Sequence, residues 1–276
     1  MLLDSSILFI SLMMLIFVPD VTFANKLSES DLKLFCDRDK NPRHCFNLGF
    51  LYDVSGNYQK SIEYYLQSCN LNYMQGCYNL AMEYLQNNSK QSEAKTYFIK
   101  ACNSNYMKAC VNLGIWEEQF GDKKQAMIHF TDACNKKDIK GCFHLGRMYE
   151  QENKVGNAKE YYQRSCERND GRSCFRLGVI AEQFNDFIPA ENFFQRSCNI
   201  GYVKGCLYWG NLKERLSGSK AALEIYQRAC SLKNSRGCAS AGRIKAQEED
   251  VNAATMLYKM GCSYGYQRAC EKLKKN

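Results

Sequence analysis

The chain has 276 residues, 45% of them hydrophobic, a formal net charge of +8 and 16 cysteines. The positive balance favours acidic partners or anionic surfaces, and by itself gives no reason to expect a nucleic-acid partner. No C-x2-C or C-x-x-C-H motif occurs, which removes the usual zinc, redox and haem-attachment spacings.

The first element is an apolar run of 12 residues, Ile7 to Val18. That length suits the hydrophobic region of a secretory signal and is short for a membrane span. Thr22-Phe23-Ala24 is an acceptable cleavage site before Asn25, although Asp4 stands where a base is usual. A signal peptide over residues 1–24 is expected, with an uncleaved anchor or a buried N-terminal helix as alternatives. Its removal takes away two acids, Asp4 and Asp20, and no base, which leaves +10. Residues 25–276 are then expected in the periplasm or secreted, with no stable membrane insertion, as a monomer. Disulfides persist in such compartments.

From Cys36 onward the cysteines come in pairs. Cys36 and Cys45 are nine residues apart. Seven further pairs are eight apart and recur every 32 or 33 residues. They are Cys69 with Cys77, Cys102 with Cys110, Cys134 with Cys142, Cys166 with Cys174, Cys198 with Cys206, Cys230 with Cys238, and Cys262 with Cys270. A fixed period of this size marks a repeat array. Eight residues of helix rise about 12 Å, whereas a disulfide holds Cα atoms within about 7 Å. If the cysteines pair within each spacing, the chain reverses between them and each bond staples a turn between two helices. Metal binding is the alternative use of the thiols. The three histidines, His44, His129 and His144, share no repeat position, and no metal, cofactor or catalytic residue is assigned.

In chain order the pattern predicts a lone helix over 28–36, seven helix A–turn–helix B units, and a lone helix over 267–275. Within the units a small residue falls four places after the second cysteine: Gly49, Ala81, Gly114, Gly146, Gly178, Gly210 and Gly242. An aromatic recurs later in every unit: Tyr65, Phe98, Phe130, Tyr162, Phe194, Tyr226 and Tyr258. Spacings of three, four and seven give helical faces. Glycine inside a helix costs roughly 1 kcal/mol, and close approach of a neighbouring helix is the expected compensation. The fold expected is all-α: a right-handed α-solenoid of seven helix-turn-helix repeats with capping helices, stapled by disulfides.

The series Gly146, Ala158, Tyr162, Ser165 resembles the tetratricopeptide and Sel1-like repeat superfamily. With the cysteine pairs, the combination of GCxxLG and YYxxAC is similar to the secreted cysteine-rich Sel1-like proteins, the Helicobacter cysteine-rich protein group. The resemblance covers about residues 28–275 and departs from Sel1-like units in its short A–B turn. It implies a protein-binding scaffold. Members of that group have been labelled penicillin-binding or β-lactamase proteins, which makes β-lactam binding or hydrolysis an alternative function. Here S-x-x-K occurs at Ser30–Lys33, Ser92–Lys95 and Ser217–Lys220, near predicted helix starts, where a capping serine is the expectation. S-D-N and K-T-G, which serine β-lactamases also need, are absent. A mitochondrial cysteine-rich assembly factor is a second relative and makes a redox or haem-handling role the second alternative.

Two places before the second cysteine stands a base in seven of eight units, Gln75 being the exception: Arg43, Lys108, Lys140, Arg172, Lys204, Arg236 and Arg268. Eight places after it stands an acid in five units: Asp53, Glu118, Glu150, Glu182 and Glu214. Bases at helix N-termini and acids at C-termini oppose the helix dipole, so local helix stability does not explain the arrangement. In tetratricopeptide-like arrays these helix A positions face the concave groove, so the resemblance implies that residues just past the cysteine, among them Phe143 and Phe175, floor a groove between the two rails. Such a groove suits a protein or cell-wall polymer with acidic groups. The competing account has the rails as solvated edges or as pairs between neighbouring repeats.

Non-reducing peptide mapping should return eight disulfides, each between sequence neighbours, and no free thiol. Each is worth roughly 2–3 kcal/mol on the chain-entropy account.

Overall fold

The computed structural model describes residues 27–86 and 90–274. The expected signal peptide lies outside the described residues. Those residues hold sixteen α-helices and no strand. They are α1 (Glu29–Asp37), α2 (Pro42–Val54), α3 (Tyr58–Asn70), α4 (Met74–Gln86), α5 (Gln91–Asn103), α6 (Met107–Gln119), α7 (Lys123–Asn135) and α8 (Ile139–Gln151). There follow α9 (Val155–Cys166), α10 (Gly171–Gln183), α11 (Phe187–Asn199), α12 (Val203–Ser217), α13 (Ser219–Ser231), α14 (Ser235–Gln247), α15 (Val251–Ser263) and α16 (Gln267–Lys274). Even-numbered helices from α2 to α14 are the A helices, and the odd-numbered helix after each is its B helix.

The chain divides into two compact units, up to Ala94 and from Lys95. In the first, α1 to α4 each pack on the next in sequence. In the second, α6 to α16 do the same, and A helices also touch the A helix of the next repeat, as α10 does α12. This is the stacking of an α-solenoid.

All eight expected cysteine pairs are closed as disulfides. In the first unit Cys36 is bonded to Cys45 and Cys69 to Cys77, with Cα atoms 4.7 and 4.5 Å apart. In the second, Cys102 is bonded to Cys110, Cys134 to Cys142, Cys166 to Cys174, Cys198 to Cys206, Cys230 to Cys238 and Cys262 to Cys270, at 4.4 to 4.8 Å. Each eight-residue pair joins the last turn of one helix to the first turn of the next. The turn between them is set by a residue in the left-handed region three places after the first cysteine. Asn72, Asn105, Lys137, Asn169 and Lys233 take φ from 61° to 68° there, and Gly201 and Gly265 fill the same place. Its N–H and the next one bond back to carbonyls of the helix just ended, as Lys137 does to Cys134 at 2.9 Å and Asp138 to Ala133 at 2.9 Å. Asp138 then caps α8 by accepting from Gly141 N–H at 2.8 Å.

Within a hairpin the aromatic of helix B lies against the glycine of helix A. A Cβ on Gly114 would stand 2.7 Å from the Phe130 ring, and one on Gly146 would stand 2.8 Å from that of Tyr162. Tyr65, Phe130, Tyr162 and Phe194 are completely buried in this way. The glycine's cost in helix propensity is offset by the ring it admits.

A second seam ties successive repeats at the disulfide turns. Lys136 donates to Asn105 Oδ1 at 2.7 Å, Arg168 to the Lys137 carbonyl at 2.6 Å and Arg228 to Asn199 Oδ1 at 2.8 Å.

The ring-on-glycine packing can be probed from both sides. Gly114→Ala should cost about 1–3 kcal/mol by overpacking, and Phe130→Ala about 3–5 kcal/mol by cavity formation, both read from denaturant melts. In the first unit, Glu83 on α4 is buried, and burial, with Asp53 of α2 beside it, pushes its carboxyl up to about 7. The unfolded value is about 4.3. The fold therefore favours the protonated form, and Glu83's contribution to stability is lost as pH rises from about 4.3 through about 7. Glu83→Gln should remove that loss and be more stable than the parent above pH 7, measured by thermal melts across pH 4–8.

Candidate binding surface on the A helices

Along the A helices of the second unit lie three adjoining hollows. The first, about 370 Å³, is lined by Phe143, Arg147, Glu150, Gln151, Tyr162 and Arg176. Arg176 also lines the second, of about 550 Å³, together with Phe175, Val179, Lys204 and Asn234. Leu207, Tyr208 and Arg236 are shared between the second and a third of about 450 Å³. The third continues to Asn211, Ser240, Arg243, Tyr258, Tyr266, Arg268 and Lys272. The shared walls make one groove running from α8 to α16.

The basic ladder stands in solvent. Arg43 of the first unit, and Lys108, Lys140, Lys204 and Arg236 of the second, are exposed. Among the described residues none of these five makes an ion pair within 4.0 Å. Arg172 differs. It is half-buried, pairs with Asp170 at 3.0 Å and lies with its guanidinium 4.1 Å from the centre of the Phe143 ring.

The acidic ladder is half-buried and engaged. Glu118 accepts from Arg147 of the next repeat. Glu150 accepts from Tyr162 Oη at 2.7 Å and from Arg176 Nε at 3.1 Å. Glu182 pairs with Arg215 at 2.7 Å. Glu214 takes both contacts of Arg243, at 2.6 and 2.8 Å, and Tyr226 Oη at 2.9 Å. These acids link repeat to repeat, as the competing account of the rails has it. In the first unit Asp53 accepts from Tyr65 Oη at 3.4 Å. The four arginine partners sit five, two, nine and five places after their unit's second cysteine. They form no column in the sequence, so only their separation of 26 to 33 residues from the acids could have revealed them.

The expected floor residues line the hollows, Phe143 half-buried in the first, and Phe175 and Leu207 in the second. Phe175 and Leu207 keep little exposed surface, and Tyr208 meets the Phe175 ring edge-on at 4.9 Å. Tyr208, Tyr266 and Lys272 escape a reading based on repeat columns. His144 beside the groove is held down to about 4 by burial first and then by Arg147 and Arg172, so it is neutral at pH 7.

The three S-x-x-K serines lie elsewhere. Ser28, rather than Ser30, caps α1. Ser92 is the second residue of α5 and donates to Glu93 at 2.7 Å, and Ser217 ends α12. None of the three holds the capping position expected, and none lines the groove. Among the described residues no helix is long and apolar enough to cross a membrane.

The fold is that of the tetratricopeptide-like repeat proteins. A tetratricopeptide repeat model matches residues 43–73 and 139–170. The chain is similar to the Sel1 repeat protein of Oxalobacter formigenes, at TM-score 0.64 and 18% identity over 81% of this chain and 99% of that one. It is similar also to c5321, described as a protective antigen of uropathogenic Escherichia coli with an SLR fold. That match has TM-score 0.63 and 18% identity over 85% of this chain, which spans 56% of the antigen. Yeast Tom70 matches at TM-score 0.58 and 14% identity, over 89% of this chain and 57% of that one. No curated protein matches the sequence. The particular form here, among the described residues, is an α-solenoid whose successive hairpins are joined by disulfides.

Proposed function

We propose that the chain is a non-catalytic, exported scaffold that holds an acidic, extended segment of a protein partner along the A-helix groove of its second unit. The carrying observation is an asymmetry of charge. The acids of the A-helix ladder are taken up by arginines of neighbouring repeats, while Lys140, Lys204 and Arg236 stand exposed along the same A helices without a counter-charge. Exposed unpaired charges steer an oppositely charged chain and lose that effect as salt screens them. Tetratricopeptide-like scaffolds commonly bind protein partners, and eight closed disulfides fit an oxidising compartment outside the cytoplasm.

The test is fluorescence anisotropy with a labelled polyglutamate peptide at two salt concentrations. The parent should bind, more weakly at the higher salt. Reversal of Lys140, Lys204 and Arg236 to Glu should weaken binding at least about tenfold and flatten the salt dependence, with circular dichroism confirming the fold. Arg172 is left alone because it is packed on Phe143. Unchanged affinity in the folded triple variant overturns the reading. Binding of polygalacturonate with none of polyglutamate moves the partner to an anionic wall polymer.

A further inference from the structure

The third hollow, at the C-terminal end of the groove, differs in kind from the other two. Arg236, Arg243, Arg268 and Lys272 all line it, and no acid does. Arg243 is accounted for by its two contacts to Glu214. Arg236, Arg268 and Lys272 make no ion pair or side-chain hydrogen bond within the described residues, and all three are exposed. Tyr208, Tyr266 and Ser240 line the same hollow. Three bases held together without a counter-charge repel one another, and a bound anion relieves that repulsion.

The charge count selects the anion. A carboxylate brings one charge and two oxygens, and leaves two of the three bases uncompensated. A phosphate monoester brings a charge of about −1.5 to −2 and three acceptor oxygens. Arginine forks match that geometry with paired N–H donors. A hollow of about 450 Å³ exceeds a bare phosphate and is in the range of small-molecule sites. The tyrosine rings and hydroxyls suit a small polyhydroxylated body attached to it.

We infer that the hollow between α12, α14 and α16 is a site for a phosphate monoester carried on a sugar-sized polar group. The site does not depend on the groove's holding a peptide. Its pH response belongs to the ligand. The lining bases are arginine and lysine, the hollow has no histidine, and Glu214 behind Arg243 is held below the ordinary carboxylate range despite its burial, by its bonds to Ser219, Arg243 and Tyr226. Burial raises the hydroxyl of Tyr258 further from neutrality.

Isothermal titration calorimetry of the intact protein with glucose 6-phosphate, glucuronate and glucose tests the site. Glucose 6-phosphate should bind at least about tenfold tighter than glucuronate, because it satisfies more of the unpaired charge. Its affinity should fall about fourfold from pH 7.5 to 5.5 as the second phosphate proton returns near pH 6. Arg268→Gln and Lys272→Gln should each weaken it about tenfold with unchanged melting temperature, since both side chains are exposed. No binding of glucose 6-phosphate, equal binding of glucuronate, or full affinity in the folded Arg268→Gln protein overturns the inference. Vesicles bearing phosphatidic acid separate two sources of the group. Binding competed by glucose 6-phosphate supports the site and places the ester on a lipid. A positive solution titration without vesicle binding supports it and places the ester on a soluble molecule. Phosphate binding beside a failed polyglutamate assay keeps this site and removes the groove reading, while the reverse result removes this site alone.

Discussion

The contact between an aromatic ring and a bare helix face sets the geometry on which the rest depends. In helix A a glycine removes the side chain that would otherwise hold helix B away. The ring of Phe130 or Tyr162 occupies the freed space at a separation that no Cβ could share. Hairpins built this way recur through the second unit, where each helix from α6 to α16 packs on the next. The disulfide adds no reach of its own. It fixes the reversal from one hairpin to the next, as the bond from Cys134 to Cys142 does, in a turn already shaped by a left-handed residue and a helix cap.

The surface follows from the polar seams between repeats. On the A helices each seam needs one acid and one arginine, and the tyrosine hydroxyl of the hairpin joins it where the ring is Tyr162 or Tyr226. Because these pairs are half-buried, removing one partner would leave the other charge partly desolvated and unpaired, which costs more than loss of a free surface pair. Because these seams absorb Glu118, Glu150, Glu182 and Glu214, the exposed remainder of the A helices is cationic. The groove's positive character is thus a residue of how the stack is held.

Helix number, hairpin boundaries and all eight cysteine pairs were legible in the sequence, because each rests on a column repeated in every unit. The glycine and aromatic columns, and the close approach of a neighbouring helix to the glycine, were legible for the same reason; that the ring itself fills the glycine's space shows only in the packing. The acids were found and their partners were not, since Arg147, Arg176, Arg215 and Arg243 reach the same neighbours from different helical positions with long flexible side chains. The floor residues Phe143 and Phe175 do line the hollows, but Phe175 offers little exposed surface there. A residue beside a cysteine, as Phe175 is beside Cys174, can point along the helix seam as easily as into the groove, and Phe175 is roofed by Tyr208. The third hollow combines Arg236 and Arg268 of the basic column with Tyr266 and Lys272 around the last turn and helix, where the repeat pattern ends, so the column announces only part of it.

Every covalent cross-link in this chain begins and ends within nine residues, and none joins residues from distant repeats. A 32- or 33-residue segment therefore carries a complete bond with it. Duplication or deletion of one such segment changes the cysteine number by two and strands no thiol. The array can lengthen or shorten over evolutionary time in whole steps, each new module arriving already able to oxidise correctly without re-matching any partner elsewhere.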